Sequence, residues 1–596
     1  MSPYAAPVKD ILFAMRVAGL DEVAGARELS GDVVASILEE AGRFAAEVLA
    51  PLNTSGDRVG SCCNDGVVST PPGFKEAYRS FVQAGWPTVA ASPEFGGQGL
   101  PLIVSSALNE IWSSANLGFS LCPLANEHAA EAIVRHGSAP LRSLYVPRIV
   151  KGEWGAPMCL TESQAGSDLA AIRARAIPQG DHYRITGNKI FITYGEHDLT
   201  DNIVHLVLAR LPDAPAGTAG ISLFLVPKFM VAADGSLGTR NDWRCVSLEH
   251  KLGIHASPTA VIAYGERAEG AIGFLVGDPN RGMQAMFTMM NRMRLGIGNQ
   301  AVAMSERAYQ QARNFARERV QGHALKRVHN QPPGSDASVP IIRHEDVRRM
   351  LLTIRAETEA MRSLASYAAA QLDLAEGTGA KRAEAQLRAD LLTPVVKGWT
   401  SEEAQSLVSL GVQVHGGAGY IEETGAAQLL RDTRILSIFE ATTGIQALDL
   451  VRRKLARDEG KSMHALLTDM RDTADRCKSA GDPLRGLGES LDQAADLLAA
   501  VTRRVLEETR SSIESVAAVS VPYLMLVGTV CGDWMMTRAA LLAAQKLAQN
   551  EDPEFHRAKL LTARFYADHV TPRAHGYAHE VLFGAPSTLE LDEEAF

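Results

Sequence analysis

Apolar residues follow two different periods along the chain, and the change between them outlines its domains. In the first 155 residues, and again from residue 282 onward, they recur at helical spacing. Between about 156 and 278 they form short runs rich in β-branched and aromatic residues, separated by turn residues. The pattern therefore predicts helices, then strands, then helices again.

The predicted helices are bounded by proline, glycine and polar stretches. The first spans 32–50 and is expected to stop at Pro51, and the glycine-rich segment 92–101 is expected to be a loop. Later helices are predicted at 283–319, 345–374, 380–411, 426–457, 491–508, 533–549 and 555–570, with a polar loop at 320–340.

The predicted strands suit a small antiparallel β domain or barrel. They are 184–193, 202–209, 221–227, 258–264 and 271–276. A doubly wound sheet is excluded, because its strands must alternate with helices throughout. The expected fold class is mainly α with a central β domain.

The order of elements predicts four domains in a chain of 596 residues, which is too long for one hydrophobic core. They are an N-terminal helical domain at 1–155, a middle β domain at 156–278, a helical bundle at 279–457 and an additional helical domain at 458–596.

Composition and charge narrow the class of partner. The apolar fraction of 46% and the charged fraction of 21% are ordinary for a globular protein. A net charge of −10 argues against nucleic acid, whose phosphates attract basic surfaces. The N-terminus lacks the apolar run of a signal peptide. Segment 521–531 is shorter than the roughly 20 residues of a membrane span, so we interpret it as a buried helix and expect no integral membrane contact.

The seven cysteines form no CxxC pair and show no metal-ligand spacing. An odd number of cysteines without a disulfide framework suits a reducing cytoplasm, which is the expected location. The histidines show no metal-binding pattern either, so no metal site is predicted.

One carboxylate stands out in the tract RDTRILSIFEATTGIQ at 431–446. Glu440 lies between an apolar run and a hydroxyl-rich turn. Apolar neighbours disfavour the charged form of a carboxylate, so we expect the pKa of Glu440 to rise toward the range of a base that works near neutrality. The alternative is an exposed glutamate that caps the turn at Thr442 and Thr443.

A second candidate is the loop MCLTESQAGSD at 158–168. Thr161 and Ser167 supply hydroxyl groups, and Gly166 permits close approach of the backbone to a ligand. Such a loop can hold a phosphate-bearing or ring-shaped cofactor through N–H and hydroxyl groups. An ordinary turn is the alternative interpretation.

The strand KIFIT at 189–193 is the third candidate. Phe191 and Thr193 are two residues apart, which places them on one strand face. Ordinary alternation in a strand explains the same pattern.

Arginines and glycines mark two further segments. Arg292 and Arg294 follow Asn291 early in a long predicted helix, and an arginine fork suits phosphate or carboxylate; the alternative is a solvated helix face.

The segment 413–419, QVHGGAG, follows a helix and therefore is not a strand-to-helix dinucleotide fingerprint. A glycine stop at the helix C-terminus is the alternative to a binding role.

The order and spacing of these motifs resemble the acyl-CoA dehydrogenase family from about residue 30 to 457. The resembling residues are PEFGGQG at 93–99, LTE at 160–162, AGSD at 165–168, GNKIFIT at 187–193, EHKLG at 249–253, Arg294, ER at 318–319, Gln413, Gly416, Gly417, RD at 431–432 and EAT at 440–442. That family has an N-terminal helical domain, a middle β domain and a C-terminal four-helix bundle. Both ends resemble a longer bacterial branch that includes broad-range fatty acyl-CoA and 3-methylmercaptopropionyl-CoA dehydrogenases.

The resemblance implies an FAD-dependent enzyme that converts acyl-CoA thioesters to trans-2-enoyl-CoA. Glu440 would remove the pro-R α-proton while the β-hydrogen leaves as hydride to flavin N5, and the Glu440 N–H would help hold the thioester oxygen. Electrons would pass to an electron-transfer flavoprotein. The chain would form a homodimer, because Arg319 would reach the pyrophosphate of FAD across the dimer interface.

The resemblance also assigns the other site residues. Cofactor contacts are implied at Leu160, Thr161, Gly166, Ser167, Phe191, Thr193, Arg319, Gln413, Gly416, Gly417 and Thr442. Acyl-CoA contacts are implied at Ser167, Asn291, Arg294 and Ala441.

Four positions depart from the family pattern. Met293 stands where some branches carry the base, and a thioether cannot serve as one, so Glu440 is favoured. Phe439 replaces a common tyrosine and Phe191 a tryptophan. Ala441 replaces a frequent glycine, and its methyl group narrows the thioester site.

Two other functions are known on this family's architecture and are alternatives to an acyl-CoA dehydrogenase. An acyl-CoA oxidase would use O₂ directly, and sequence separates it poorly from a dehydrogenase. A DNA-associated flavoprotein would carry a basic C-terminal domain, but residues 461–596 hold 14 Lys or Arg against 20 Asp or Glu, which should repel DNA.

Overall fold

The computed structural model describes residues 3–23, 29–267, 269–325, 338–377 and 379–596. The first helices are α1 (Val8–Val17), α2 (Gly31–Phe44), α3 (Pro51–Val59), α4 (Phe74–Gln83), α5 (Leu102–Ala115), α6 (Leu117–His136) and α7 (Ala139–Val150). The strands are β1 (Cys62–Asn64), β2 (Val67–Ser69), β3 (Trp154–Gly155), β4 (Met158–Cys159), β5 (Arg175–Gln179), β6 (His182–Thr193), β7 (Asn202–Arg210), β8 (Ile221–Pro227), β9 (Phe229–Val231), β10 (Leu237–Arg240), β11 (Trp243–Leu248), β12 (Thr259–Tyr264) and β13 (Ala271–Val276).

Helices return after the strands, so the predicted fold class is confirmed. They are α8 (Gly282–Glu318), α9 (Glu345–Glu376), α10 (Arg382–His415), α11 (Ala426–Thr433), α12 (Thr443–Asp449), α13 (Lys461–Ser479), α14 (Arg485–Ser511), α15 (Ile513–Ala518), α16 (Ser520–Ala548), α17 (Pro553–His569), α18 (Arg573–Phe583) and α19 (Ala585–Leu589).

The backbone divides into two compact units. The β unit comprises residues 41–296, and the helical unit comprises residues 1–40 together with 297–596. The C-terminal helices α13–α19 therefore belong to the same compact unit as the bundle helices α9–α12. The finer division into four domains stays a prediction.

Five strands of the β unit close into a ring. β6, β13, β8, β7 and β5 pair in succession, and β5 pairs back with β6. The second half of β6 pairs instead with β12, and Gly187 lies at this change of partner with φ of +130°, a conformation that favours glycine. Most strand pairs are antiparallel, as expected for the β domain, but β3, β4 and β5 run parallel to β7.

The core of the β unit explains why two of its strands, β7 and β8, could be predicted. β7 and β8 are buried along almost their whole length, so both read as continuous apolar runs. Leu206 and Phe224 of these strands belong to one hydrophobic core with Ile133, Tyr145 and Ile149 of α6 and α7.

Two predicted helix boundaries are wrong for local reasons. The helix does not stop at Pro51: a π-helical turn at Ala45–Leu49 leads into α3, where Pro51 occupies the first turn. Proline is tolerated there because a first-turn N–H has no intrahelical acceptor. The predicted helix 426–457 is interrupted at 438–442 and contains the 3₁₀ turn Arg434–Ser437.

The predicted buried helix at 521–531 is confirmed as part of α16, which continues past residue 533 without a break. Gly528 and Gly532 let other elements approach this helix closely, because a Cβ at either position would overlap Trp399 of α10 or Tyr566 of α17. Of the predicted loop 320–340, the part at 326–337 lies outside the described residues, and Val320 pairs with Pro340 across it.

Three further observations concern apolar helices, groups of metal-ligating residues and cysteines. Within the ranges described, no helix combines the length and apolar character needed to cross a membrane. The described side chains also contain no group of three or more His, Cys, Asp or Glu suited to a metal ion. All seven cysteines are described, and each is a free thiol.

Candidate active site

A buried ion pair fixes the candidate loop of the β unit to strand β6. The Lys189 Nζ donates to Glu162 Oε1 at 2.8 Å and to the Leu160 carbonyl oxygen at 2.9 Å. Lys189 is fully buried and Glu162 nearly so. The Ile190 N–H also donates to the Thr161 carbonyl oxygen at 2.9 Å, so the loop and the strand share one rigid frame.

The Glu162 carboxylate organises the backbone around it. Its two oxygens accept N–H groups of Arg173 and Ala174 at 2.8 and 3.0 Å. Burial alone would raise the pKa of Glu162, but the Lys189 ammonium and these N–H groups outweigh burial and hold that pKa below its ordinary value. Burial lowers the pKa of Lys189, and Glu162 opposes that shift.

Phe191 has an unusual backbone for a bulky residue. Between Ile192 and Lys189 the register of β6 against β12 shifts by one extra residue, which is a β-bulge. Phe191 lies in this bulge with φ of +59° and its side chain is 59% exposed, while Ile192 is buried. Strain of this kind in an aromatic residue is a pointer to function.

The other predicted cofactor residues of the β unit surround an accessible surface. Leu160, Thr161 and Thr193 are half-buried, whereas Gly166 and Ser167 are exposed. A Cβ at Gly166 would meet no atom within 4 Å, so its backbone borders open space. An exposed aromatic ring beside an accessible, hydroxyl-bearing loop fits a ring-shaped cofactor.

The predicted acyl-CoA residues on α8 differ in exposure. Asn291 is half-buried, whereas Arg294 is only 4% exposed, which excludes a solvated helix face for Arg294. Arg292 lies 3.7 Å from Glu131 and is mostly buried, so a solvated face is excluded there too. Met293 is buried as well.

In the helical unit, the candidate base lies where the predicted helix breaks. Glu440 and Ala441 have φ of +53° and +74°, so two consecutive non-glycine residues adopt the left-handed conformation. Each costs free energy and persists only when surrounding contacts determine it. Glu440 is half-buried, which excludes a fully exposed capping residue.

Two fully buried side chains hold the carbonyl groups of these strained residues. Gln446 Nε2 donates to the Glu440 carbonyl oxygen at 3.2 Å, and Lys397 Nζ of α10 donates to the Ala441 carbonyl oxygen at 2.6 Å. The hydroxyl of Thr443 donates to the Glu402 carboxylate, which fixes the start of α12 to α10.

The remaining predicted residues of the helical unit lie at helix ends. α10 ends at His415, and Gly416 follows with φ of +60°, a backbone conformation that favours glycine at a helix end. A Cβ at Gly416 or Gly417 would meet no atom within 4 Å. Arg319 is exposed just beyond the end of α8.

Sequence reasoning missed the residues that support the site. Glu162 and Lys189 lie within the quoted motifs, but nothing in their spacing shows that they form a buried pair. Lys397 and Gln446 carry no signal at all, because each occupies an ordinary position in a helical pattern.

Family models cover most of the chain. They match the acyl-CoA dehydrogenase N-terminal domain at 34–153, its middle domain at 157–266 and its C-terminal domain at 334–455. A fourth, described as acetyl-CoA dehydrogenase C-terminal like, matches residues 466–592.

Curated relatives match nearly end to end. The chain is 45% identical over 573 residues to 3-methylmercaptopropionyl-CoA dehydrogenase of Ruegeria pomeroyi, covering 95% of this chain and 96% of that protein. It is 32% identical to the broad-specificity linear acyl-CoA dehydrogenase FadE5 of Mycobacterium tuberculosis, with complete coverage of both chains.

Solved structures share the fold at low sequence identity. The Caenorhabditis elegans ACDH-11 structure in complex with C11-CoA has a TM-score of 0.76 at 20% identity and covers 98% of this chain and 96% of that one. A Bacillus anthracis acyl-CoA dehydrogenase complexed with FAD has a TM-score of 0.74 at 20% identity, covering 97% and 91%.

The family models and the curated relatives together define a class of flavin-dependent dehydrogenases. The chain belongs to the acyl-CoA dehydrogenase family, which consists of FAD-dependent oxidoreductases acting on acyl-CoA thioesters. The predicted family, enzyme class and cofactor are confirmed at that level. The roles given to single residues stay predictions.

Proposed function

We propose that Glu440 is the base that removes the α-proton of a bound acyl-CoA. The observation that carries this proposal is the strained pair Glu440–Ala441, whose carbonyl groups are held by buried side chains. Strain maintained by dedicated contacts is characteristic of functional positions. The proton passes to the Glu440 carboxylate, and the Glu440 N–H donates to the thioester oxygen as negative charge develops there.

FAD, when bound, supplies the acceptor for the β-hydrogen and its electron pair, so the product is trans-2-enoyl-CoA. Leu160, Thr161, Gly166, Ser167, Phe191 and Thr193 of the β unit are proposed to hold it. Arg319, Gln413, Gly416, Gly417 and Thr442 of the helical unit are proposed to do the same. The exposed Phe191 ring and the open space beside Gly166, Gly416 and Gly417 support this assignment.

Acyl-CoA is proposed to contact Ser167, Asn291, Arg294 and Ala441. We propose a medium- or long-chain fatty acyl-CoA or 3-methylmercaptopropionyl-CoA as the acyl group. The names of two relatives support this proposal, since one is a 3-methylmercaptopropionyl-CoA dehydrogenase and the other a broad-specificity linear acyl-CoA dehydrogenase.

The remaining elements of the proposal concern assembly and electron transfer. We propose a homodimer, an electron-transfer flavoprotein as electron acceptor, and a cytoplasmic location, which the free thiols support. We also propose domains at 1–155, 156–278, 279–457 and 458–596; the family-model matches at 34–153, 157–266, 334–455 and 466–592 support these boundaries.

Replacing the base tests the proposal directly. Glu440→Gln should retain FAD and bind acyl-CoA, yet lose anaerobic flavin bleaching by more than about 1,000-fold, because an amide cannot accept the α-proton. Glu423→Gln changes an exposed glutamate of the same helical unit and is the matched control. The flavin of this variant should be bleached at the normal rate. Retained bleaching in Glu440→Gln would refute the assignment.

A substrate panel distinguishes the remaining alternatives. Acyl-CoAs from propionyl to palmitoyl, together with 3-methylmercaptopropionyl-CoA, are scored by the rate of flavin bleaching. After reduction, the enzyme is exposed to air. Rapid reoxidation with stoichiometric peroxide would identify an oxidase and contradict the proposed electron-transfer partner.

A further inference from the structure

We propose that Lys397 is a positioning residue for catalysis, which holds the Glu440–Ala441 backbone in its reactive conformation through the Ala441 carbonyl group. This inference rests on the proposed role of Glu440 as the base. It adds a residue of α10 that has no direct part in the chemistry.

The surroundings of Lys397 are tightly packed. The side chain is fully buried, and its neighbour Gly398 lies so close to Leu524 of α16 and Gln446 that a Cβ there would come within 2.9 to 3.4 Å of them. Thr400 and Ser401, one turn further on, are fully buried as well. A lysine amine is costly to remove from water, so its position here requires strong compensating contacts.

One such contact is the bond from Lys397 Nζ to the Ala441 carbonyl oxygen. Its length of 2.6 Å is at the short end of the range for N–H···O bonds. The Ala441 carbonyl is therefore held firmly, although the residue that carries it is strained.

The geometry of the peptide groups explains why this bond matters for Glu440. The Glu440 carbonyl belongs to the peptide group between Glu440 and Ala441, and Gln446 holds it. The Ala441 carbonyl belongs to the next peptide group, and Lys397 holds it. Since both groups that flank Ala441 are fixed, the conformation of Ala441 and the exit direction of the chain from Glu440 are fixed as well.

Without Lys397, this arrangement loses one of the hydrogen bonds described above. Alanine disfavours positive φ, because its Cβ crowds the following carbonyl oxygen. The peptide group between Ala441 and Thr442 is then expected to rotate toward an unstrained conformation. Such a rotation would move the Glu440 carboxylate and N–H away from positions suited to the α-proton and the thioester oxygen.

The primary test is Lys397→Met, which has a similar length and no donor. In the FAD-loaded protein, anaerobic flavin bleaching at saturating acyl-CoA should slow by about 10- to 100-fold, the scale of a small displacement of a reacting group. The acyl-CoA dissociation constant and FAD content should change by less than about 3-fold. Thr393→Ala, whose hydroxyl bonds within α10 to Ala389, is the matched control and should leave the bleaching rate unchanged.

Two further readouts separate positioning from general stability. Hydrogen exchange of the peptide covering 438–446 should accelerate in Lys397→Met and not in the Thr393 control. Glycine adopts positive φ without strain, so adding Ala441→Gly to Lys397→Met should recover part of the lost rate. If Lys397 only stabilised the fold, adding Ala441→Gly would not restore the bleaching rate.

These experiments test the positioning role of Lys397 separately from the role of Glu440 as the base. If Glu440→Gln abolishes bleaching while Lys397→Met stays within about 2-fold of the unmodified protein, only the positioning role is refuted. If Glu440→Gln retains bleaching, the proposed base itself is wrong. If neither Lys397→Met nor Lys397→Gln folds with FAD, Lys397 is a folding residue and the positioning role is overturned.

Discussion

Both units place a non-glycine residue at positive φ among their predicted site residues, but they hold it in different ways. In the β unit, Phe191 lies in a bulge of β6, and backbone bonds of the strand on either side maintain it. In the helical unit, Glu440 and Ala441 lie between helices, and the side chains of Gln446 and Lys397 maintain them.

This difference indicates how a substitution is expected to act in each unit. A strand ladder distributes the constraint over many backbone bonds, so one side chain changes little unless it fixes the whole loop. A turn between helices has no ladder, so single side chains decide its conformation. We therefore expect the β unit to respond chiefly in stability and the helical unit chiefly in activity.

The largest stability effect is expected from breaking the ion pair of the β unit. Lys189→Met leaves the Glu162 carboxylate buried without its cation, which should cost about 3–5 kcal/mol. Denaturant unfolding followed by far-UV circular dichroism measures the loss, and FAD should be retained poorly. The double variant Lys189→Met/Glu162→Gln removes both charges and should recover part of the stability.

An exposed ion pair in the same unit provides the control for this variant. Arg244 and Glu266 lie 2.7 Å apart and are each about 40% exposed. Arg244→Met should cost less than about 1 kcal/mol, because solvent screens the pair. Equal losses in Lys189→Met and Arg244→Met would contradict a special role for the buried pair.

A second expected effect concerns a buried carboxylate of the helical unit. Whereas cations and N–H groups lower the pKa of Glu162, burial raises the pKa of Asp533 in α16 to about 7. A raised pKa in the folded state contributes stability that is fully present below the unfolded value of 3.8 and is lost as pH rises toward about 7. Asp533 should therefore make the protein less stable at pH 7 than at pH 5.

The change Asp533→Asn removes this titration. Between pH 5 and pH 7 it should abolish a stability loss of about 2 kcal/mol, from roughly 1.4 kcal/mol for each pH unit, less near pH 7 where the folded-state carboxyl itself ionises. Denaturant midpoints measured at both pH values test this. Asp568→Asn, an exposed change on α17, should leave the pH dependence as it was. An unchanged slope in Asp533→Asn would show that Asp533 does not titrate in that window.

Much of the fold could be predicted because burial and periodicity act locally. β7 and β8 could be predicted because both faces of each strand are buried. The long helices could be predicted because their apolar positions recur along one face of the helix. The short strands β3 and β4 were missed because two residues carry no period. The continuation through Pro51 was missed because the π turn before it leaves no compositional trace.

The candidate site was predictable in its residue types and not in its geometry. The motif around Glu440 indicated a base through its order along the chain, whereas the positive φ of Glu440 and Ala441 depends on contacts from residues far away in sequence. Lys397 is one of them, and a single lysine in a helical pattern looks the same whether it is exposed or buried. Backbone strain at an alanine therefore emerged only from the structure.

The smallest expected effect sharpens the comparison between the two kinds of support. Ala441→Gly removes the steric cost of φ at +74° but adds chain entropy to the unfolded state, so we expect a net stabilisation of no more than about 1 kcal/mol. Ala480, exposed just after α13 with φ of −76°, is the matched site, and Ala480→Gly should destabilise by about 0.4–1 kcal/mol, because glycine adds chain entropy to the unfolded state and relieves no strain. Denaturant midpoints of the two variants should move in opposite directions. Equal destabilisation at both sites would mean that Ala441 is not strained.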